Sequence, residues 1–168
     1  AGLINNFFSS LDKVLQESQP AGRRLHRSLE EQLVRYCVVL ALVEEVFRAG
    51  ARSGSPLFLG EAKTTVPELL SVSDSHWVDD LCSLSWLFYE RFGEVLTHPN
   101  TLNPTFDGSR DVGGVDADFI LDGCLIDIKS TIKPRVTNTW LYQLLGYVLL
   151  DYSNRYQMHE VGIYFARQ

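Results

Sequence analysis

Apolar residues along this chain follow a helical spacing in much of the first hundred residues, and in the remainder they form short runs between turn signals and one further helical stretch. Residues 1–98 therefore predict a mainly helical part, including one long helix that a Ser28–Glu31 capping box opens and that runs to about Gly50. Residues 99–168 predict a strand at 101–106, a hairpin turning at 122–123, a helix at 139–152 and a last strand at 161–166. We expect one domain over residues 1–168, of mixed α/β (α+β) class.

The hairpin is the most specific of these elements. Asp122-Gly123 separates two apolar runs, and this dipeptide accepts the positive φ angles of a two-residue turn. Folding the chain there places Leu121 opposite Cys124, Ile120 opposite Leu125 and Phe119 opposite Ile126. Continuing the same register places Asp118 opposite Asp127, and Asp116 opposite Lys129. Because side chains alternate along a strand, all four charged residues lie on one face of the predicted sheet.

Two directly opposed carboxylates are unfavourable unless a positive charge compensates them. At a cross-strand separation of roughly 5 Å, Asp118 and Asp127 repel each other by about 4 kcal/mol at a surface-like dielectric. A divalent cation between them turns that repulsion into ligation, and Mg²⁺ or Mn²⁺ suits carboxylate oxygens. Lys129 stands on the same face, within reach of an anionic substrate or a water molecule. The pattern predicts a metal-dependent site for phosphoester chemistry.

Composition limits the alternatives. The chain has 168 residues, of which 45% are hydrophobic, and no apolar run approaches the ~20 residues needed to cross a bilayer. Cys37, Cys82 and Cys124 are odd in number and widely spaced, which indicates reduced thiols and a cytoplasmic protein. We expect no membrane partner and no cysteine-based zinc site.

The net charge of −6 is unusual for a nucleic-acid-binding protein, because such proteins are usually basic. Acids gathered at a metal site account for part of the excess. Lys133 and Arg135 follow the hairpin and Arg110 precedes it, so we predict that these three contact a nucleic-acid backbone. The remaining acidity favours transient contact with substrate, or a partner subunit or longer parent chain that supplies more of the binding surface.

The acids and the lysine resemble the active-site core of the PD-(D/E)xK nuclease superfamily, where an acid, a short strand, a hairpin and an apolar-Asp-x-Lys strand come one after another. Downstream, Gln143-Leu-Leu-Gly-Tyr147 is similar to the QxxxY motif of the RecB and lambda-exonuclease branch. The resemblance covers roughly residues 100–167. Ala117 stands where the proline that names the superfamily would be, a change common among RecB-like members.

The resemblance implies a restriction-endonuclease-like core of helix, three strands, helix and strand, following an N-terminal helical portion. Asp118 matches the first acid, Asp127 the second and Lys129 the lysine, while Asp116 remains an alternative first acid or a partner of Lys129. Metal ligation would also involve the Ile128 carbonyl, and by resemblance a helix acid such as Glu45. Gln143 and Tyr147 would face the metal site. Alternatively, Gln143 is an ordinary polar residue of the helix and Tyr147 is an aromatic residue of the core.

Two classes of function are compatible with these residues. The first is a RecB-like, Mg²⁺- or Mn²⁺-dependent nuclease that hydrolyses single- or double-stranded DNA. The residues that would carry out catalysis are Asp118, Asp127, Lys129, Gln143 and Tyr147. A nuclease that acts on RNA is a variant of this hypothesis. The second is a catalytically silent module of the same fold that binds nucleic acid or protein within a larger defence or repair complex. The complete acid–acid–lysine set favours the first.

Overall fold

A computed structural model describes residues 2–19, 23–52 and 54–168 of the chain. These residues form two compact units, Ala1–Tyr89 and Glu90–Gln168. The units contain helices and a mixed sheet, so the predicted mixed α/β class is confirmed. No helix within the described ranges combines the length and the apolar character needed to cross a membrane.

The first unit is helical, as predicted. Its helices are α1 (Gly2–Glu17), α2 (Arg27–Ala49), α3 (Val66–Leu70) and most of α4 (Ser75–Phe92), whose last turn belongs to the second unit. Apolar side chains from α1 and α2 form its main core, and the fully packed members are Phe7, Val14, Tyr36 and Val39. Tyr36 also donates a hydrogen bond to Ser10 Oγ, so its hydroxyl is satisfied inside the core.

Helix α2 begins differently from the prediction. It starts at Arg27, and its N-cap residue, His26, makes no side-chain capping hydrogen bond. The expected Ser28–Glu31 capping box is wrong: Ser28 Oγ bonds to His26 Nδ1, and Arg27 Nε donates to Glu31 at 2.7 Å. A charge-assisted bond to arginine competes with the neutral backbone N–H that the box would use.

The second unit is built on a four-stranded mixed sheet in the order β1-β2-β3-β4. The strands are β1 (Asn100–Leu102), β2 (Phe119–Leu121), β3 (Cys124–Lys129) and β4 (Glu160–Phe165). The pairs β1–β2 and β2–β3 are antiparallel, whereas β3 and β4 are parallel and joined through helix α5 (Asn138–Leu150).

Strand β1 is shorter than the predicted 101–106. Pro104 has no N–H to donate and interrupts the ladder, although its carbonyl still accepts a hydrogen bond from Ala117 N–H. The pairing resumes for one isolated bridge between Thr105 and Asp116, in the register that β1 and β2 already share. The chain then turns through a 3₁₀ segment at Asp107–Val112.

The hairpin has the predicted register. Phe119 pairs with Ile126, Ile120 with Leu125, and Leu121 with Cys124. The turn residues Asp122 and Gly123 have φ angles of 48° and 75°, the left-handed values that a two-residue hairpin turn needs.

Helix α5 packs on the face of the sheet that carries Ile120 and Leu125. These two side chains form a core with Leu144 and Tyr147 of α5 and with Phe106. Thr137 caps the helix by accepting a hydrogen bond from Trp140 N–H. The QxxxY residues therefore lie above the face that bears the hairpin acids.

Candidate active site

The acid of β3 lies deep in the second unit. Every second side chain of β3 lies on one face of the strand: Leu125, Asp127 and Lys129. The first of these, Leu125, is fully buried under α5. Asp127 is next on that face and only 4% exposed. Burying an ionised carboxylate is expensive unless an opposite charge accompanies it.

Lys129 supplies that opposite charge. Its Nζ lies 2.7 Å from Asp127 Oδ2, and its side chain is 20% exposed. The approach lacks the geometry of a hydrogen bond, so Oδ2 is buried with no hydrogen-bond partner among the described residues. Charge attraction holds the pair together, while one carboxylate oxygen keeps unused capacity to accept a donor or a cation.

Asp118 stands at the start of the neighbouring strand. It is exposed, and its Oδ2 accepts a hydrogen bond from the Ile128 backbone N–H, next to Asp127. This bond ties the two strands together just beyond the last ladder pair, Phe119–Ile126. Because Ile128 directly follows Asp127 in the chain, this hydrogen bond also holds the Asp118 carboxylate near Asp127.

The polar contacts continue from Lys129 onto α5. Lys129 Nζ donates to Gln143 Oε1 at 3.1 Å, and Gln143 Nε2 donates to the Tyr147 hydroxyl at 2.7 Å. Because an ammonium group only donates, it fixes which end of the amide is the oxygen. The amide nitrogen must then face Tyr147, so the chain of donors runs from lysine to glutamine to tyrosine.

Tyr147 is both a core aromatic and part of this polar network. Its ring stacks on Phe106 with centroids 5.6 Å apart. The pKa of its hydroxyl is shifted upward, and burial is the largest cause. The charges of Asp127 and Asp118 also raise this pKa, whereas the Gln143 hydrogen bond and the charge of Lys129 lower it. The hydroxyl is therefore kept protonated and able to donate.

Sequence reasoning missed Trp140. The Lys129 Nζ lies 5.5 Å from the centre of its ring, and the ring also contacts Phe165 at the end of β4. A cation over an indole face is attracted by the ring quadrupole, so Trp140 limits where the ammonium group can go. The available signal was spacing: Trp140 precedes Gln143 by three residues and so shares its side of the helix.

The structure shows different contacts for the other predicted residues. Asp116 forms the isolated bridge to Thr105 on the β1 side. Glu45 is on α2 in the first unit, where its carboxylate pairs with Arg52 at 3.3 Å. The three basic residues predicted to contact nucleic acid are exposed, one in the 3₁₀ segment and two between β3 and α5: Arg110, Lys133 and Arg135.

The donor set suits a hard divalent cation but is small. Across residues 2–19, 23–52 and 54–168, no three His, Cys, Asp or Glu side chains are grouped to hold a metal ion. A pair of aspartates with a main-chain carbonyl is a smaller set, of the oxygen chemistry that Mg²⁺ and Mn²⁺ prefer. The observation that fits such an ion is the buried Asp127 Oδ2, which accepts no hydrogen bond from the described residues; a bound cation would share this oxygen with Lys129 Nζ, which lies 2.7 Å away.

Comparisons with known proteins identify no relative: no family model, no curated protein and no solved structure matches the chain. No matched protein therefore supports the assignment, which rests on the residues of the site and on the motifs that they form.

Proposed function

We propose that this protein is a Mg²⁺- or Mn²⁺-dependent nuclease that hydrolyses phosphodiester bonds in DNA. The observation that carries the proposal is the buried Asp127 carboxylate, which is paired with Lys129 and connected through Gln143 to Tyr147. The order helix, three strands, helix and strand, with the acids and the QxxxY residues on facing elements, is what the PD-(D/E)xK resemblance implies.

A purely structural role explains this arrangement poorly. Replacing a buried ion pair by apolar residues of similar volume is often neutral or stabilising, so such a pair gives a fold little net stability. Here Lys129 Nζ lies 2.7 Å from the buried Asp127 Oδ2, and that oxygen receives no hydrogen bond of regular geometry from the described residues. Buried charged groups with a specific charge partner are typical of functional sites.

Asp127 and Asp118, with the Ile128 carbonyl, would hold the metal ion. When bound, a divalent ion lowers the pKa of a coordinated water and neutralises charge on a phosphate. The chain's own contribution is position: β3 fixes Asp127 below α5, and the Ile128 N–H fixes Asp118 on the adjacent strand.

The remaining groups handle charge and protons. Lys129 places a positive charge beside the acids, where it stabilises negative charge that develops on a phosphate oxygen. Gln143 restrains the lysine, because its carbonyl oxygen accepts from Nζ. Tyr147 accepts from the Gln143 amide and stays protonated, so its own O–H is available to donate to a phosphate oxygen or to a water.

Exposed Lys133 and Arg135 lie between β3 and α5, close in sequence to the lysine of the site. Contacts from such residues to phosphates carry no base information, so the proposed activity is independent of sequence. A pair of carboxylates without further acidic ligands binds a metal weakly by itself, so the phosphate of the substrate is expected to complete the coordination.

The test measures cleavage of single-stranded DNA, duplex DNA and RNA with Mn²⁺ or Mg²⁺, together with calorimetry of Mn²⁺ binding. Asp127→Asn removes the buried charge with little change in volume, and we expect it to abolish both cleavage and the heat of binding. Asp122→Asn is the matched control: it removes a carboxylate from the same hairpin, and asparagine tolerates the positive φ of that turn.

The outcomes separate the alternatives. Cleavage lost in Asp127→Asn and kept in Asp122→Asn supports the nuclease. Mn²⁺ binding that depends on Asp127 but accompanies no cleavage of any of the three substrates rejects catalysis and favours a silent binding module. A wild-type chain that neither binds Mn²⁺ nor cuts nucleic acid would overturn the proposal.

A further inference from the structure

Trp140 contacts the lysine of the candidate site from the first turn of α5. Its ring centre lies 5.5 Å from Lys129 Nζ and 6.0 Å from the ring centre of Phe165. Lys129 and Phe165 are partners in the β3–β4 ladder, so the indole reaches both strands at one pair. The backbone N–H of Trp140 donates to the Thr137 side chain, which caps the helix. The ring is therefore held at a fixed place beside the ammonium group.

The Lys129 ammonium group has three neighbours at increasing distance. Asp127 Oδ2 lies 2.7 Å from Nζ, Gln143 Oε1 accepts a hydrogen bond at 3.1 Å, and the Trp140 ring is farther away. The approach to Asp127 lacks hydrogen-bond geometry, because Oδ2 accepts no hydrogen bond from the described residues. Charge attraction holds the ammonium group at this oxygen, so a more highly charged cation at the same oxygen would displace it.

A divalent ion bound to Asp127 would be such a cation. Mg²⁺ binds oxygen at about 2.0–2.1 Å, so sharing Oδ2 would place the ion and the ammonium group no more than about 5 Å apart. Like charges at this separation repel strongly in a site of low dielectric. Once displaced, the ammonium group would lose its counter-charge, although the lysine side chain is only 20% exposed. A largely buried ammonium group then needs a replacement partner.

We propose that Trp140 is a positioning residue, which holds the Lys129 ammonium group when a divalent ion occupies Asp127. The negative face of an indole attracts an ammonium group, and it offers the metal ion no oxygen ligand. Gln143 keeps one N–H of the ammonium group, while the ring limits how far the group moves away from the acids. This inference rests on the proposed nuclease function and deepens it, because it names how the metal ion controls the position of the lysine.

Nuclear magnetic resonance of the lysine side chains tests this role without requiring cleavage. The chain contains only four lysines, and the spectrum of Lys129→Met identifies the signal of interest among Lys13, Lys63, Lys129 and Lys133. An aromatic ring shifts the signals of protons that lie over its face upfield. We expect the Lys129 ε-CH₂ signal to lie upfield of the other three, and to move further upfield on titration with diamagnetic Mg²⁺.

Variants at Trp140 separate the aromatic face from the volume of the side chain. Trp140→Leu should abolish the upfield shift and its dependence on Mg²⁺, whereas Trp140→Phe should keep part of both, because it retains an aromatic face. In DNA cleavage, Trp140→Leu should lower kcat by about tenfold with little change in KM, since the lysine acts on charge that develops in the transition state. Trp140→Phe should restore part of that rate.

Trp86→Leu is the matched control. It removes an indole of the first unit that also carries a cation, because the Arg24 guanidinium lies 3.2 Å from its ring centre. Trp86 is not part of the candidate site, so this variant should leave the Lys129 signal and kcat unchanged. Circular dichroism shows whether each variant folds, and Trp140→Phe decides alone if Trp140→Leu does not.

The outcomes separate the positioning role from the nuclease assignment. Mg²⁺ binding by calorimetry with an unmoved Lys129 signal would overturn the positioning role and leave the nuclease in place. So would a signal that responds equally in wild type and the Trp140 variants, or a kcat that these variants leave unchanged. A Mg²⁺-dependent shift that the Trp140 variants reduce, in a chain that cleaves nothing, would support the positioning role and reject only the nuclease. A wild type that binds neither Mg²⁺ nor Mn²⁺ would overturn both.

Discussion

The two units of the chain use charge in opposite ways. In the helical unit the ion pairs are on the surface: Arg48–Glu44 and Arg52–Glu45 join side chains that are all about half exposed or more. In the second unit Asp127 and Lys129 form a pair that is largely withdrawn from water. Surface pairs are worth little and tolerate change, whereas a buried pair is costly to form and sensitive to the loss of either partner.

That difference indicates which charges matter for function. Surface pairs between helix residues need no explanation beyond solvation and geometry. The Asp127–Lys129 pair on β3 does need a further explanation, because a leucine or methionine on that face would extend the core formed by Leu125 and Leu144. The burial of this pair and its connection through Gln143 to Tyr147 are what make it a candidate for chemistry.

The largest expected effect comes from breaking the buried pair on one side. Lys129→Met should reduce DNA cleavage by about 10²–10³-fold, because it removes a positive charge aimed at the reacting phosphate. It should also lower the free energy of unfolding by about 3–5 kcal/mol, since it leaves Asp127 buried without its counter-charge. Cleavage assays and urea unfolding measure the two effects separately.

The double variant Asp127→Asn/Lys129→Met separates function from stability. If the pair serves chemistry, the doubly neutral site should recover most of the lost stability while cleavage stays abolished. Stability that remains as low as in Lys129→Met would indicate that the pair holds the fold together, and would remove the contrast between the two units.

A smaller effect is expected from the tyrosine at the end of the network. Burial raises the pKa of Tyr147 in the folded state above its unfolded value, so the stability it contributes is complete below the ordinary tyrosine pKa of about 10 and is lost as pH rises through the folded value. Tyr147→Phe should therefore flatten the loss of stability at alkaline pH and slow cleavage by roughly tenfold to a hundredfold.

Urea unfolding at a series of alkaline pH values measures that slope. Tyr152→Phe is a useful comparison, because the Asp111 hydrogen bond raises the pKa of Tyr152 as well but Tyr152 lies outside the candidate site. If the free energy of unfolding falls equally steeply with alkaline pH in wild type and in Tyr147→Phe, the Tyr147 hydroxyl is not a buried group that resists ionisation.

The smallest effect should come from the surface. Glu44→Gln removes the acid that pairs with Arg48 at 2.7 Å, and it should change the free energy of unfolding by less than about 0.5 kcal/mol and leave cleavage unchanged. Thermal unfolding and the DNA assay check both. A loss comparable to that of Lys129→Met would show that the surface pairs of the helical unit matter as much as the buried one.

Local rules predicted the hairpin well and the contacts across elements poorly. The register of β2 and β3 follows from Asp122-Gly123 and from strict alternation, both of which are readable over a few residues. The side of α5 that faces the acids was an expectation from the family resemblance; in the structure Leu144 and Tyr147 pack on Ile120 and Leu125 of the sheet.

The failures involve competition or distance. The capping box at Ser28 fails because Arg27 takes Glu31, and propensity alone does not rank those two bonds. Several apolar residues of α5 are exposed, which helical spacing cannot reveal, since it gives the faces of a helix but not which one is covered. Trp140 over Lys129 depends on the tertiary approach of two elements.

The Asp122-Gly123 turn has a further implication for how this protein can vary. Two residues are the shortest link that joins β2 to β3, so a deletion here would recruit a strand residue into the turn and slip the pairing by one position. Asp118 would then sit across from a side chain of the opposite face, and its bond to the Ile128 N–H would be lost. Natural variants that shorten this turn should therefore be rare among functional copies, however freely other loops change in length.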